Sequence, residues 1–111
     1  MTSPWQQAVF AAVALVPRGR VVSYGDVAAF VGHPRRPRQV GGALGALDAE
    51  GCRHVPWHRV VNGRGFLSIR GAVVGKAGQR ALLVADGVDV GDDYVVVEFA
   101  AVRWRFPFVV G

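Results

Sequence analysis

Apolar residues recur at helical spacing in several stretches of the chain. Val9, Phe10, Val13 and Leu15-Val16 form the first set. Ser3-Pro4 precedes it, with serine as cap and proline at the first helical position, so a helix is predicted from there to about Val16. Pro17-Arg18-Gly19-Arg20 reads as a turn and Val21-Val22 as a short extended piece. Ser23 then caps a second helix, with Asp26 three residues on in a capping-box arrangement. Val27, Ala28, Phe30 and Val31 are its apolar side, and Gly32 its stop.

After the rigid, basic connection His33-Pro34-Arg35-Arg36-Pro37, the segment Arg38 to Leu47 carries Val40, Leu44 and Leu47 at helical spacing. Two short helices joined by a tight turn predict a helix-turn-helix. Asp48 to His54 is expected to be a loop, and Pro56 to Val61 a turn. Asn62-Gly63-Arg64-Gly65 leads into a short wing, Phe66 to Ile69, and then a loop from Arg70 to near Gly75. A last helix is predicted over Lys76 to Asp86, with Ala77, Ala81, Leu82 and Ala85 on one side and Gly87 as its end. Val88 to Val97 is a strand pair or extended segment broken at Gly91-Asp92-Asp93. Trp104, Phe106 and Phe108 give the tail the means to fold back. The expected fold is mainly α with a short β wing, a winged helix-turn-helix over residues 1–111 as a single domain.

The third helix has an unusual surface. Gly41, Gly42 and Gly45 lie among Ala43 and Ala46, and each glycine costs a helix roughly 1 kcal/mol relative to alanine. Close packing against another helix offers one compensation, and close approach to DNA another. Such a helix has no long side chains to read a major groove, but it is slim enough for a minor groove.

Charge sharpens that choice. Residues 1 to 80 hold ten arginines and Lys76 against Asp26, Asp48 and Glu50, a net charge of +8. Residues 81 to 111 hold Arg103 and Arg105 against five acids, a net charge of −3. Twelve of the thirteen cations are arginine, whose fork suits phosphate and whose plane stacks on bases, so nucleic acid is the expected partner. The single cysteine, Cys52, excludes an internal disulfide. Cys52, His54 and His58 fall short of the four ligands of a structural zinc site, so no metal or other cofactor is expected. The start reads as no signal peptide, and no apolar run approaches the ~20 residues of a membrane span. A cytoplasmic monomer, nucleoid-associated in a bacterium, is the expectation.

Pro56-Trp57-His58-Arg59-Val60 stands apart from the rest. A tryptophan between a turn proline and two polar or cationic residues is expected to wall a pocket rather than sit wholly in the core. The motif resembles Pro-Cys-His-Arg-Val, the active-site sequence of the O6-alkylguanine-DNA alkyltransferases. Trp57 replaces the cysteine, as in the alkyltransferase-like proteins, which resemble the repair enzymes without performing the transfer. The resemblance covers roughly Ser3 to Asp89.

That resemblance implies roles for individual residues. Tyr24 would crowd the phosphate beside a damaged base and help rotate the nucleotide outward. Arg38 would fill the hole left in the base stack. Gly41, Gly42 and Ala43 would belong to the helix pressed into the minor groove, with Arg35 and Arg36 on phosphates. Trp57, Arg70, Tyr24 and Val60 would line the pocket for the flipped base, together with main chain from Val55, Val73 and Val74. His58 and Asp86 would survive as a structural remnant of the relay that activates a thiolate, and Arg59 would hold the turn together. A leucine at position 47 replaces an asparagine common in the enzymes.

The implied function is a non-enzymatic sensor. It would bind duplex DNA carrying O6-alkylguanine and hand the lesion to nucleotide excision repair proteins. Two other classes stay open: a residual alkyltransferase working through Cys52, or a general winged-helix regulator.

Overall fold

The computed structural model describes residues 2–68 and 75–107. Helix α1 spans Pro4–Val13, strand β1 Val22–Ser23, helix α2 Tyr24–Phe30 and helix α3 Pro37–Gly45. Helix α4 (Ala49–His54) is followed by a 3-10 turn at Trp57–Arg59 and by strand β2 (Val60–Val61). Helices α5 (Gly75–Ala85) and α6 (Phe99–Val102) complete the described elements.

Both serine caps form as the sequence predicts. The Ser3 hydroxyl accepts from the Gln6 amide, and the Gln6 side chain accepts from the Ser3 amide. Ser23 and Asp26 repeat the arrangement at 3.0 Å and 2.9 Å, which satisfies amides that a helix start leaves free. Gly32 leaves α2 at φ 89°, a left-handed conformation that favours glycine. Helix α1 stops at Val13, short of the predicted Val16, yet Val16 is buried just beyond its end while Leu15 points out.

Helices α1, α2 and α3 pack together around Val9, Val13, Val27, Ala28, Val40 and Leu44. Helices α2 and α3, joined through Val31 to Arg36, are the helix-turn-helix. The sheet is not where the wing is predicted. It is a parallel pair, β1 with β2, in which Val22 faces Val60 and Ser23 faces Val61. At the wing, Phe66 makes only an isolated bridge to Val95, so the described part of that segment is an extended arm rather than a strand. Ile69 lies outside the described residues.

Three other expectations are corrected. The predicted loop over Asp48 to His54 is the helix α4, started by the Asp48 carboxylate accepting from Gly51 N at 2.7 Å. It buries none of its residues, so it shows no apolar periodicity to read. Helix α5 turns Gln79 and Leu83 inward, and Ala77, Ala81, Leu82 and Ala85 outward. The last helix is α6, not α5. Val88 to Val97, by contrast, does double back at Gly91-Asp92-Asp93 as expected, with an antiparallel bridge between Val90 and Val96.

The tail folds back as expected as far as it is described. Val21 N donates to Val102 O, and Trp104 N donates to Val21 O. Phe106 stacks on Phe30 at 4.3 Å between ring centroids. Phe108 lies outside the described residues. Among the described residues no helix is long and apolar enough to cross a membrane.

Candidate nucleic-acid interface

Helix α3 has two unlike faces. Val40, Ala43 and Leu44, with Leu47 just past its end, are buried in the core. Arg38, Gly41, Gly42 and Gly45 line an open groove of about 540 Å³ together with Tyr24 and Ser68. The core face offsets the cost of three glycines, which the sequence leaves unexplained. Gly41 is packed: a Cβ there would stand 3.6 Å from the Tyr24 ring. Gly42 faces open space. Ala43, expected at the DNA-facing surface, is only 5% exposed and belongs to the core, because it lies one turn from Val40 and Leu47 on the inner face.

Tyr24 is the first residue of α2, fixed directly after the Ser23 cap. Its ring lies over the groove beside Gly41. Burial pushes its phenol above the ordinary value, and the nearby Ser68 side chain partly offsets that. The hydroxyl therefore stays protonated and uncharged at neutral pH, which suits it to lie against a phosphate. Arg38 is exposed at the start of α3, where helix amides are also unsatisfied. Arg35 and Arg36 line a smaller hollow with His33 and Pro34. None of these three arginines makes an ion pair among the described residues.

Trp57 is placed differently from expectation. It is 1% exposed, the largest fully buried side chain described, and it sits in the same core as α1, α2 and α3. The prediction that it would not be wholly core is therefore corrected: the Pro56 turn and β2 carry the indole inward. Its Nε1–H is buried with no hydrogen-bond partner among the described residues. Such orphans are uncommon, because a buried unpaired donor costs on the order of 1–3 kcal/mol. Val60 is also fully buried, and its carbonyl accepts from Gln79 Nε2 at 2.9 Å. It belongs to the core rather than to the groove. Arg70, Val73 and Val74 lie outside the described residues.

Behind the motif, His58, Arg59 and Asp86 converge. His58 Nε2 lies 2.9 Å from Asp86 Oδ2, and Arg59 Nε donates to the same oxygen at 2.8 Å. Arg59 Nη1 also donates to Val16 O, and Arg18 Nε stands 3.7 Å from the carboxylate. Burial raises the Asp86 carboxyl, but hydrogen bonds from Arg59 and His58 outweigh it and hold the group below the usual range. Burial lowers His58 and wins over the opposing pull of Asp86, with Arg59 adding to the decrease. The imidazole is thus neutral, and its Nε2–H donates to an ionised carboxylate. A histidine oriented by a carboxylate could activate a thiol, but position 57 offers an indole and no sulfur. Cys52 is half-buried on α4. Among the described residues no group of three His, Cys, Asp or Glu could hold a metal ion.

Two contributors were not legible in advance. Gln79 donates to the carbonyls of both His58 and Val60 and so ties α5 to the motif turn. Arg103 grips Asp26 with two hydrogen bonds, at 3.0 Å and 2.7 Å. A glutamine four residues before Leu83, on the same face of the helix, is a weak hint of the first; nothing local signals the second.

Comparison with known proteins agrees with this geometry. Residues 4–88 match the family described as 6-O-methylguanine DNA methyltransferase, DNA binding domain. The chain is similar to alkyltransferase-like protein 1 of Schizosaccharomyces pombe, 44% identical over 74% of each chain. It is 43% identical to the DNA base-flipping protein of Escherichia coli over 90% of this chain and 74% of that one. The fold is similar to the crystal structure of S. pombe Atl1 in complex with damaged DNA containing O6-carboxymethylguanine. There the TM-score is 0.82 at 36% identity, covering 91% of this chain and 94% of the other.

Proposed function

The chain belongs to the family of the 6-O-methylguanine DNA methyltransferase DNA-binding domain, on its alkyltransferase-like side, and from that premise we propose that it senses alkylated DNA without repairing it. In this reading residues 1–111 act as one DNA-binding unit that approaches duplex DNA from the minor groove. Helix α3 enters through its bare Gly41-Gly42-Gly45 face. Tyr24 presses on the phosphate beside O6-alkylguanine while Arg38 takes the place of the extruded base. Extrusion costs a few kcal/mol, and less for a badly paired base, which favours the lesion over normal guanine.

The observation that carries the reading is the pairing of an open groove with a disarmed relay. Tyr24 and Arg38 share the groove, while His58 and Asp86 sit behind an indole that has no proton to give up at neutral pH. Because Trp57 is buried in the free chain, its pocket forms around the entering base, and its Nε1–H, unpaired among the described residues, supplies a donor for it. Arg70 would stand beside that base. A protein that binds without transferring must pass its lesion on. We assign that step to nucleotide excision repair proteins, with the chain acting in the cytoplasm as a monomer.

The test is fluorescence anisotropy at one stated salt concentration. Two labelled duplexes differ only by one O6-methylguanine. The modified duplex should bind at least about tenfold more tightly, and Tyr24→Ala or Arg38→Ala should remove most of that preference. The protein mass should be unchanged after incubation. Equal binding of both duplexes overturns the sensor, and an added methyl mass on Cys52 replaces it with a transferase.

A further inference from the structure

We propose that Arg103 is a positioning residue for nucleotide extrusion, with helix α6 and the tail bracing the Tyr24–Ser68 edge of the groove. The inference rests on the reading above and extends it beyond residues 4–88, the stretch matched to the methyltransferase DNA-binding domain. Tyr24 can push a phosphate only if the start of α2 does not yield. That start is held by Asp26, whose Oδ2 accepts from the Ser23 amide at 2.9 Å. The same oxygen accepts from Arg103 Nε at 3.0 Å, and Oδ1 accepts from Nη2 at 2.7 Å. The cap of the tyrosine helix is thus closed by a residue 77 positions away.

Arg103 is itself anchored. The backbone on either side of it is hydrogen-bonded to Val21, two residues before Ser23. Its guanidinium lies 5.2 Å above the Phe99 ring. Phe99 in turn presses on the turn before Ser68: a Cβ at Gly65 would meet its Cβ and Cγ at 3.0 Å. One short helix therefore supports Tyr24 through Asp26 and the arm bearing Ser68 through Gly65. A bidentate guanidinium–carboxylate pair fixes orientation as well as distance, which a lysine cannot reproduce.

The experiment compares binding of the paired duplexes by the parent, Arg103→Ala and Arg103→Lys, each alone and combined with Tyr24→Ala. All are measured at a temperature where circular dichroism shows them folded. Arg103→Ala should lower the preference for the lesion about tenfold and Arg103→Lys about threefold, the fork being only partly replaced. In the Tyr24→Ala background Arg103→Ala should change the preference less than about twofold, since its effect passes through the tyrosine. Failure of the parent to prefer the lesion sinks the sensor reading and this inference with it. A parent that discriminates alongside Arg103 variants that discriminate equally well overturns this inference alone. So does an Arg103→Ala effect of the same size with and without Tyr24, or one that weakens both duplexes equally, because either marks a role in stability rather than positioning.

Discussion

Around Asp86, Arg18, Arg59 and His58 converge on one carboxylate. Around Arg38, three arginines stand in the open with no carboxylate partner among the described residues. Both regions come from the same basic stretch of chain, yet charge does different work in each. In the first, both guanidiniums are answered from within, and the cluster holds the Pro56 turn, the end of α5 and the segment after α1 together. In the second, the charges are left for something outside the molecule to answer. Charge near the motif is paired within the fold, and charge near the glycines has no carboxylate partner among the described residues, as the proposed recognition requires. The His58–Asp86 hydrogen bond, 2.9 Å long, involves no atom of residue 57.

The largest expected effect falls on the cluster. Asp86→Ala leaves Arg59 and His58 partly buried beside no carboxylate, and removing one partner of a buried pair costs about 3–5 kcal/mol. For a domain of this size that is a large share of ~5–15 kcal/mol. Urea denaturation at pH 7 should show the loss. The preference for alkylated DNA should survive in whatever fraction remains folded. A variant of near-parental stability that no longer distinguished the lesion would break the division between the regions.

A smaller effect, of opposite sign on stability, is expected in the groove. A methyl group at Gly42 would touch nothing, so Gly42→Ala should stabilise α3 by about 1 kcal/mol. That corresponds to a rise in Tm of roughly 4–8 °C. If α3 enters DNA through this face, the same methyl should weaken binding to damaged and undamaged duplexes alike by about tenfold. A more stable protein with unchanged DNA affinity would show that the bare face meets no DNA. A Cβ at Gly41 would instead stand 3.6 Å from the Tyr24 ring, an ordinary contact, so it reports on the tyrosine more than on the helix.

Much of this was readable from local sequence. Ser3 and Ser23 cap helices through contacts three residues long, and the apolar spacing of α2 and α3 follows from one buried face each. What was hidden depends on partners distant in sequence. The inward face of α5 carries Gln79 because two carbonyls of the motif turn need a donor, 19 and 21 residues away. Ala77, Ala81 and Ala85, which the spacing places on its core face, are exposed. Helix α4 buries no residue fully, so only the Asp48 cap betrays it. The neighbours of Trp57 suggest a pocket wall, but its indole is buried in the core that α1, α2 and α3 share.

The two regions should also separate under pH and salt. His58 titrates below its ordinary value of 6.5 when folded, so between that folded value and about 6.5 the unfolded chain binds more protons. Its contribution to stability is complete above about 6.5 and is lost as pH falls toward the folded value. Asp26 is raised by burial but lowered more by hydrogen bonds from Arg103 and the Ser23 amide, so it ends, like Asp86, below 3.8. Their contribution is complete above the unfolded value and is lost as pH falls through the lower folded values. Stability should therefore decline in two stages, with a slope of at most about 1.4 kcal/mol per pH unit for each group. His58→Gln should flatten the upper stage and leave the lower one. Guanidinium groups keep their charge over this whole range, so DNA binding by the folded protein should depend steeply on salt and weakly on pH. The partly buried cluster should show the reverse, since salt screens it far less than it screens exposed charge. A DNA affinity that followed the His58 titration while the protein stayed folded would tie the relay remnant to recognition and erase the distinction between the two regions.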